Sequence, residues 1–237
     1  MKLRCRASGP ELMDAPDVDP YALEHALKDL EWINRLLNGY DPSIKGLADL
    51  LPKNTRKFSM LDVGCGNGDT LRQVAKWARM RGVQAELRGI ELSGVSASSA
   101  SRACSDFPEI KIDQEDVFSV ASRCSYDVVH CALVLHHFSS DAEAVKLLCR
   151  MSELSRYGVI VNDLHRHWFA YYSIGVLTRI FSRSAIIHND APLSVARAFT
   201  RVELSGLSSE AGLQGVSVSW HWAFRWLLTA RTGEQRV

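Results

Sequence analysis

The residues best suited to chemistry in this 237-residue chain begin with three glycines at alternate positions, Gly64, Gly66 and Gly68. They lie in Leu61-Asp62-Val63-Gly64-Cys65-Gly66-Asn67-Gly68-Asp69, between a short apolar run and an amphipathic one. A strand ending at Val63, a glycine turn and a helix opening near Asp69 is the form a nucleotide-type cofactor site takes in an open α/β sheet. Glycine serves there because the turn needs backbone angles that a β-carbon forbids and because the ligand lies against the main chain. The spacing is G-x-G-x-G, not G-x-G-x-x-G, and no Lys-Ser/Thr follows as in a phosphate-binding loop. The expected ligand therefore lacks a pyrophosphate, and S-adenosylmethionine is the first candidate.

Further candidates stand where later strands should end, the edge at which open sheets bind ligands. Glu91 is positioned to accept hydrogen bonds from ribose hydroxyls, with Leu92 beside it, and Asp116, followed by Val117, to accept from an adenine amino group. Cys131 and Leu133 lead into the pair His136-His137. Imidazole is close to neutrality in pKa and suits the removal of a proton from an acceptor hydroxyl, so either histidine is a candidate base or a packing residue. His188 and Asp190 offer an alternative base and orienting acid, or a solvated loop. Asp69 either contacts the cofactor or favours the helix dipole. Arg197 anchors an acidic substrate group or pairs with Asp190.

Hydrophobic periodicity supplies the elements that must hold these residues. Apolar residues recur at helical spacing over 21–37, and a short helix is expected at 43–51, so that residues 1–55 form an arm and a helical lid. Strands are expected at 58–63, 85–90, 109–114, 126–132 and 157–161, and helices at 70–80, 95–105 and 141–154, the last capped by Asp141. Such alternation implies right-handed crossovers and a parallel, doubly wound sheet. A cap is inserted at 164–200, with an apolar helical middle that includes Trp168, Tyr171 and Tyr172 and a polar tail at 187–194. A helix at 200–211 and a hairpin at 216–220 and 224–230 close the core, which spans 56–237.

Taken together, the glycine turn, Glu91, Asp116 and the stretch from Asp127 to Phe138 resemble the class I S-adenosylmethionine-dependent methyltransferases. The resemblance implies a seven-stranded, Rossmann-like sheet with a reversed final hairpin, and a reaction that leaves S-adenosylhomocysteine. It implies cofactor contacts from Asp62, Gly64, Cys65, Gly66, Gly68, Asp69, Glu91, Leu92, Asp116, Val117, Cys131 and Leu133. Within that class the chain resembles the small-molecule branch around the ubiquinone and menaquinone biosynthesis enzymes. Val161-Asn162-Asp163-Leu164 and the segment 190–200 are similar to enzymes found with bacterial type III polyketide synthases. The implied acceptor is small and phenolic or quinol-type, methylated on oxygen, with carbon methylation or a non-catalytic cofactor-binding module as alternatives.

The sulfonium already activates the methyl group, so such an enzyme mainly aligns its acceptor and excludes water. An aromatic cap suits a flat acceptor, and His137, Trp168, Tyr171, Tyr172 and Arg197 are expected to contact it. Charge is balanced, with 28 basic and 27 acidic side chains, which argues against nucleic acid as the partner. The most apolar window, 168–181, contains Arg179 and is too short to span a bilayer. None of the six cysteines forms a C-x-x-C pair or has a histidine at metal spacing. No metal centre is expected, and the thiols are read as reduced in a cytoplasmic protein, either monomer or homodimer.

Overall fold

A computed structural model describes residues 3–15, 17–121, 123 and 125–232. Seven strands form one sheet: β1 (Lys57–Val63), β2 (Gln84–Glu91), β3 (Ile110–Gln114), β4 (Tyr126–Ala132), β5 (Ser155–Leu164), β6 (Gln214–His221) and β7 (Arg225–Arg231). Their order is β3-β2-β1-β4-β5-β7-β6. β7 alone runs against the others, pairing antiparallel with both β5 and β6. Chain order reverses between β1 and β4, which places the glycine turn at the switch point of the sheet.

Side chains alternate between the two faces, as strand geometry requires. Leu61, Val129, Val159 and Val161 join one core with Leu147, Met151, Leu204 and Leu207. Their neighbours Met60, Val128 and Ile160 join the other with Leu47, Leu71 and Val74. The helices supplying these layers are α2 (Asp41–Leu50) and α3 (Asp69–Arg81) on one side and α5 (Asp141–Leu154) and α8 (Arg201–Glu210) on the other, with α4 (Gly94–Ala103) between β2 and β3 in the chain. Burial on both faces explains why β1, β4 and β5 read as continuous apolar runs.

Two details differ from the sequence reading. The N-cap of α5 is Ser140, which forms a reciprocal capping box with Glu143, so Asp141 is the first helical residue. A serine hydroxyl accepting from the third amide, with a glutamate returning to the cap, satisfies two orphan donors at once. β5 extends to Leu164 and so carries Asn162 and Asp163 to the ligand edge.

The lid helix α1 (Pro20–Leu36) is capped by the Asp19 side chain. Its buried residues Ala26 and Ile33 pack with Ile186, Ile187 and Ala191. These come from the cap, which is a pair of helices, α6 (Trp168–Phe181) and α7 (Ala185–Arg197). The polar tail expected at 187–194 is therefore helical, with Pro192 inside it. Its apolar positions Ile186, Ile187, Ala191 and Val195 face inward, and burying them favours the helix over a solvated loop. Among the described residues, no helix is long and apolar enough to cross a membrane.

Candidate active site

The turn after β1 is built by backbone hydrogen bonds from Gly64 and Cys65 to Ile90 O, 3.0 and 3.2 Å. Gly64 adopts φ +65°, and a β-carbon there would meet Val134 at 2.6 Å. Gly66, at φ +57°, meets nothing within 4 Å, so the turn presents bare, open backbone to a ligand. The amide of Gly66 donates to Glu91 Oε1 at 2.5 Å. Burial, opposed by that hydrogen bond, pushes the Glu91 carboxyl up to about 7. An acceptor-only carboxylate beside a bare glycine turn fits the adenosine ribose, whose hydroxyls are donors.

Helix α1 and the linker that follows it contact the same turn. Tyr40, between α1 and α2, donates its hydroxyl to Asp69 Oδ2 at 2.7 Å. Burial raises the pKa of Asp69, and the tyrosine bond partly offsets it. Glu31 of α1 accepts from Arg72 Nη2 at 2.6 Å and from Asn67 Nδ2 at 2.9 Å, while Arg72 Nη1 donates to Asn67 O at 2.6 Å. One carboxylate thus ties the lid to the glycine turn and to the helix it opens.

At the end of β4 the chain turns through Leu133, whose φ of +57° is unusual for a branched side chain. A single helical turn, Leu135–His137, follows. His136 Nδ1 bonds Asp163 Oδ1 at 2.6 Å, and the His136 amide donates to Asp163 Oδ2 at 3.1 Å. His137 Nδ1 bonds Asp14 Oδ2 at 2.8 Å. Burial alone would lower the His137 pKa, but Asp14 and Glu11 hold it above the ordinary imidazole value. Glu11 and Asp14 belong to the N-terminal arm, and Glu11 is 2% exposed.

The arm is fastened there by buried arginine and aspartate side chains. Arg197 donates Nε to His136 O at 3.0 Å, Nη1 to Gly9 O at 2.6 Å and Nη2 to His137 O. Asp190 accepts from the amides of Leu12 and Met13 at 2.8 and 2.9 Å. A cavity of about 280 Å³ opens beside these groups. Glu11, His136 and His137 line it together with apolar side chains that include Leu30, Ile33, Leu133, Phe169, Ile174 and Leu177. A wider recess of about 710 Å³, lined by Lys57, Glu86 and Arg156, lies at the opposite edge of the sheet, away from the glycine turn.

The structure brings together Gly64, Gly66, Gly68, Asp69, Glu91 and Leu133, with His136 and His137 next along the same edge. The other candidates are placed as follows. Asp62 Oδ1 bonds His130 Nδ1 at 2.6 Å, and His130 Nε2 bonds Ser43 Oγ at 2.8 Å, a buried brace between β1, β4 and α2. Cys65, Val117 and Cys131 are buried in the apolar layers. Leu92 is exposed. Asp116, also exposed, accepts from the Phe118 amide at 3.0 Å.

Arg197 does not pair with Asp190, because three backbone carbonyls engage it. His188 is not oriented by Asp190 either: its Nε2 bonds Ser182 O at 2.9 Å, and Asp190 holds the arm. Trp168, Tyr171 and Tyr172 do not line the cavity; Phe169, Ala170, Ser173, Ile174 and Leu177 of the same helix do. The helical period gives the reason, since 168 and 172 share one face and 169, 173 and 177 another. Sequence reasoning missed Glu11 and Asp14, named Phe169 only as one of the aromatic run of the cap, and met Asp163 only as part of a resemblance.

This fold, with a glycine turn and an acidic residue at the ends of adjacent strands, is the Rossmann-like α/β fold found in S-adenosylmethionine-dependent methyltransferases. Residues 60–158 match a family described as a methyltransferase domain. The enzyme is a methyltransferase, and S-adenosylmethionine is its cofactor. A search of curated proteins finds no match to the sequence. Among solved structures, the chain is similar to an S-adenosylmethionine-dependent methyltransferase from Aquifex aeolicus, with 16% identity over 92% of this chain and 100% of that one, and a TM-score of 0.64. It is also similar to the CurJ carbon methyltransferase, with 16% identity over 92% of this chain and 62% of that one, TM-score 0.64. A third is magnesium protoporphyrin IX methyltransferase from Synechocystis PCC 6803, solved with bound S-adenosylhomocysteine, with 15% identity over 84% of this chain and 85% of that one, TM-score 0.57. At these identities the likeness concerns the fold.

Proposed function

We propose that this enzyme methylates an oxygen of a small, flat, hydroxyl-bearing acceptor, of phenolic or quinol type, held in the cavity between α1, α6, α7 and the closing hairpin. The turn through Gly64, Gly66 and Gly68 would carry the cofactor's amino-acid and ribose portions, with Gly66 offering open backbone, and Glu91 would accept from the ribose hydroxyls. Asp69, held by Tyr40, lies beside the turn on the methionyl side, where a carboxylate complements an ammonium.

The single observation carrying this reading is that one mostly apolar cavity is lined both by Leu133 of the β4 turn and by the two histidines. A volume of about 280 Å³ sits just below the usual range for ligand pockets, which begins at about 300 Å³, and so favours an acceptor of one or two rings. Each histidine has Nδ1 fixed by a carboxylate, which leaves Nε2 as the atom able to take a hydroxyl proton. The oxygen attacks in line as the methyl leaves sulfur, and sulfur keeps the electron pair. Apolar walls keep competing water out.

The test is turnover of a panel of phenols, naphthols, quinols and polyketide-derived pyrones, followed by fragmentation mass spectrometry to locate the methyl group. O-methylated product supports the reading. Exclusive ring methylation would transfer it to the carbon-methylating alternative, and S-adenosylhomocysteine binding without turnover on any acceptor would favour a binding module.

A further inference from the structure

The two histidines share a feature that a proton acceptor does not require. Both are anchored through Nδ1, His136 by Asp163 at 2.6 Å and His137 by Asp14 at 2.8 Å, and both turn Nε2 toward the same carboxylate. His136 Nε2 lies 3.6 Å from Glu11 Oε1, and His137 Nε2 lies 3.7 Å from Glu11 Oε2. These separations exceed hydrogen-bond length. Glu11 Oε1 is buried without a hydrogen-bond partner among the described residues, and such an orphaned acceptor is costly. Arg197 Nε is 3.9 Å from it but already donates to His136 O.

We propose that Glu11, His136 and His137 form a site for one divalent transition-metal cation, with open coordination positions facing the acceptor cavity. The three ligand atoms lie within 4.8 Å of one another. Around an ion with bonds of about 2.0–2.2 Å, neighbouring ligand atoms sit roughly 3.3 Å apart, so contraction of a few tenths of an ångström along the two measured edges brings the carboxylate and both histidines into range.

Two imidazoles and one carboxylate, with positions left open, form the donor set of catalytic zinc sites and of mononuclear iron sites. The carboxylates behind both rings supply the outer contacts that metal-bound histidines characteristically have. They also offset the charge of the cation. Three carboxylates, Glu11, Asp14 and Asp163, then surround the two rings, with Arg197 Nε 3.9 Å from Glu11 Oε1. The spacing of cysteines gave no hint of this site, because its ligands come from residue 11 and from residues 136–137 and meet only when the arm folds over the β4 turn.

The consequence for catalysis rests on the cavity reading above; the ion site does not. With an ion bound, the two Nε2 atoms are ligands and no longer accept protons. The acceptor oxygen would be drawn to an open position, its proton would pass to solvent, and the oxygen–methyl bond would form as the methyl–sulfur bond breaks. Acceptors carrying two adjacent oxygen donors would be favoured, since they fill two positions.

The test uses the full chain, stripped with a chelator and titrated with Zn²⁺ alone by calorimetry, and with Co²⁺ for its visible spectrum. One equivalent of Zn²⁺ per chain is expected, and Co²⁺ should give the absorption of a nitrogen- and oxygen-ligated ion. Glu11→Gln should weaken zinc binding at least tenfold, and Asp14→Asn by about 10- to 100-fold through the loss of its support to His137. S-adenosylhomocysteine affinity reports that each variant is folded; should Glu11→Gln fail that check, His137→Gln is read in its place. No zinc equivalent on the wild-type chain, or wild-type zinc affinity in a folded variant, overturns the proposal. Zinc uptake without turnover of any acceptor keeps the ion site and removes the acceptor reading; turnover unaffected by chelation in a chain that binds no zinc does the reverse.

Discussion

Glu91 sets two opposing requirements in one side chain, and replacing it with glutamine separates them. Its carboxyl is pushed up to about 7 from an ordinary 4.5, chiefly by burial. The ribose hydroxyls need an acceptor, so the ligand binds the ionised form, and apparent affinity scales with the fraction of chains in that form. With a pKa of about 7, roughly 3% of Glu91 is ionised at pH 5.5 and nearly all at pH 8.5, so affinity for S-adenosylhomocysteine should fall about thirtyfold between them. Glu91→Gln should remove that slope and weaken binding at pH 8.5 by about 1.5–3 kcal/mol, the range for hydrogen bonds to a charged group.

Stability moves the other way. A folded-state pKa above the unfolded one gives stability that is present below about pH 4.5 and lost as pH rises through 7. The ligand-free Glu91→Gln chain should therefore be the more stable of the two above pH 7. Calorimetry with S-adenosylhomocysteine from pH 5.5 to 8.5, and urea denaturation of both chains, give the readouts. Because the ligand's own titration is common to both proteins, a slope in Glu91→Gln as steep as in the wild type would refute the placement of Glu91 against the ribose. So would a flat profile in the wild type.

The remaining expectations follow from named contacts. Phe169→Ala, which widens the cavity wall, should raise KM for the acceptor severalfold, whereas Trp168→Ala on the outward face should leave it within experimental error; steady-state kinetics compares them. Gly64→Ala should destabilise the chain by about 1–3 kcal/mol, because its β-carbon meets Val134 at a left-handed backbone angle, and should abolish cofactor binding; chemical denaturation and calorimetry check both. Tyr40→Phe removes the hydroxyl donor to half-buried Asp69 and should weaken S-adenosylhomocysteine binding about tenfold while making the linker between α1 and α2 more sensitive to limited proteolysis.

The strands and core helices were legible because each has a clear period and clear punctuation. β4 was read at its observed bounds, 126–132, from an apolar run bounded by a turn and by the residues leading to His136. The glycine turn and Glu91 were legible because chemistry there demands particular residue types at the ends of adjacent strands. Asp163 was obscured because β5 extends three residues beyond its apolar run, and only pairing with β7 carries it that far. Glu11 and Asp14 were illegible for a different reason. Their segment has no period, and its position depends on Asp190 and Arg197, contacts separated by nearly two hundred residues. The aromatic run of α6 was read as one surface, whereas a helix divides it. Trp168, Tyr171 and Tyr172 do not line the cavity, and its wall belongs to Phe169 and Leu177.

The central claim is that the cofactor's sulfur opens into the cavity lined by Glu11, His136 and His137. A crystal structure of the enzyme with S-adenosylhomocysteine and an acceptor from the turnover panel measures this directly. The sulfur is expected beside Leu133, with the acceptor's oxygen between it and the histidine Nε2 atoms and its ring against Phe169. An acceptor seated outside this cavity, or a sulfur facing away from the histidines, would contradict it.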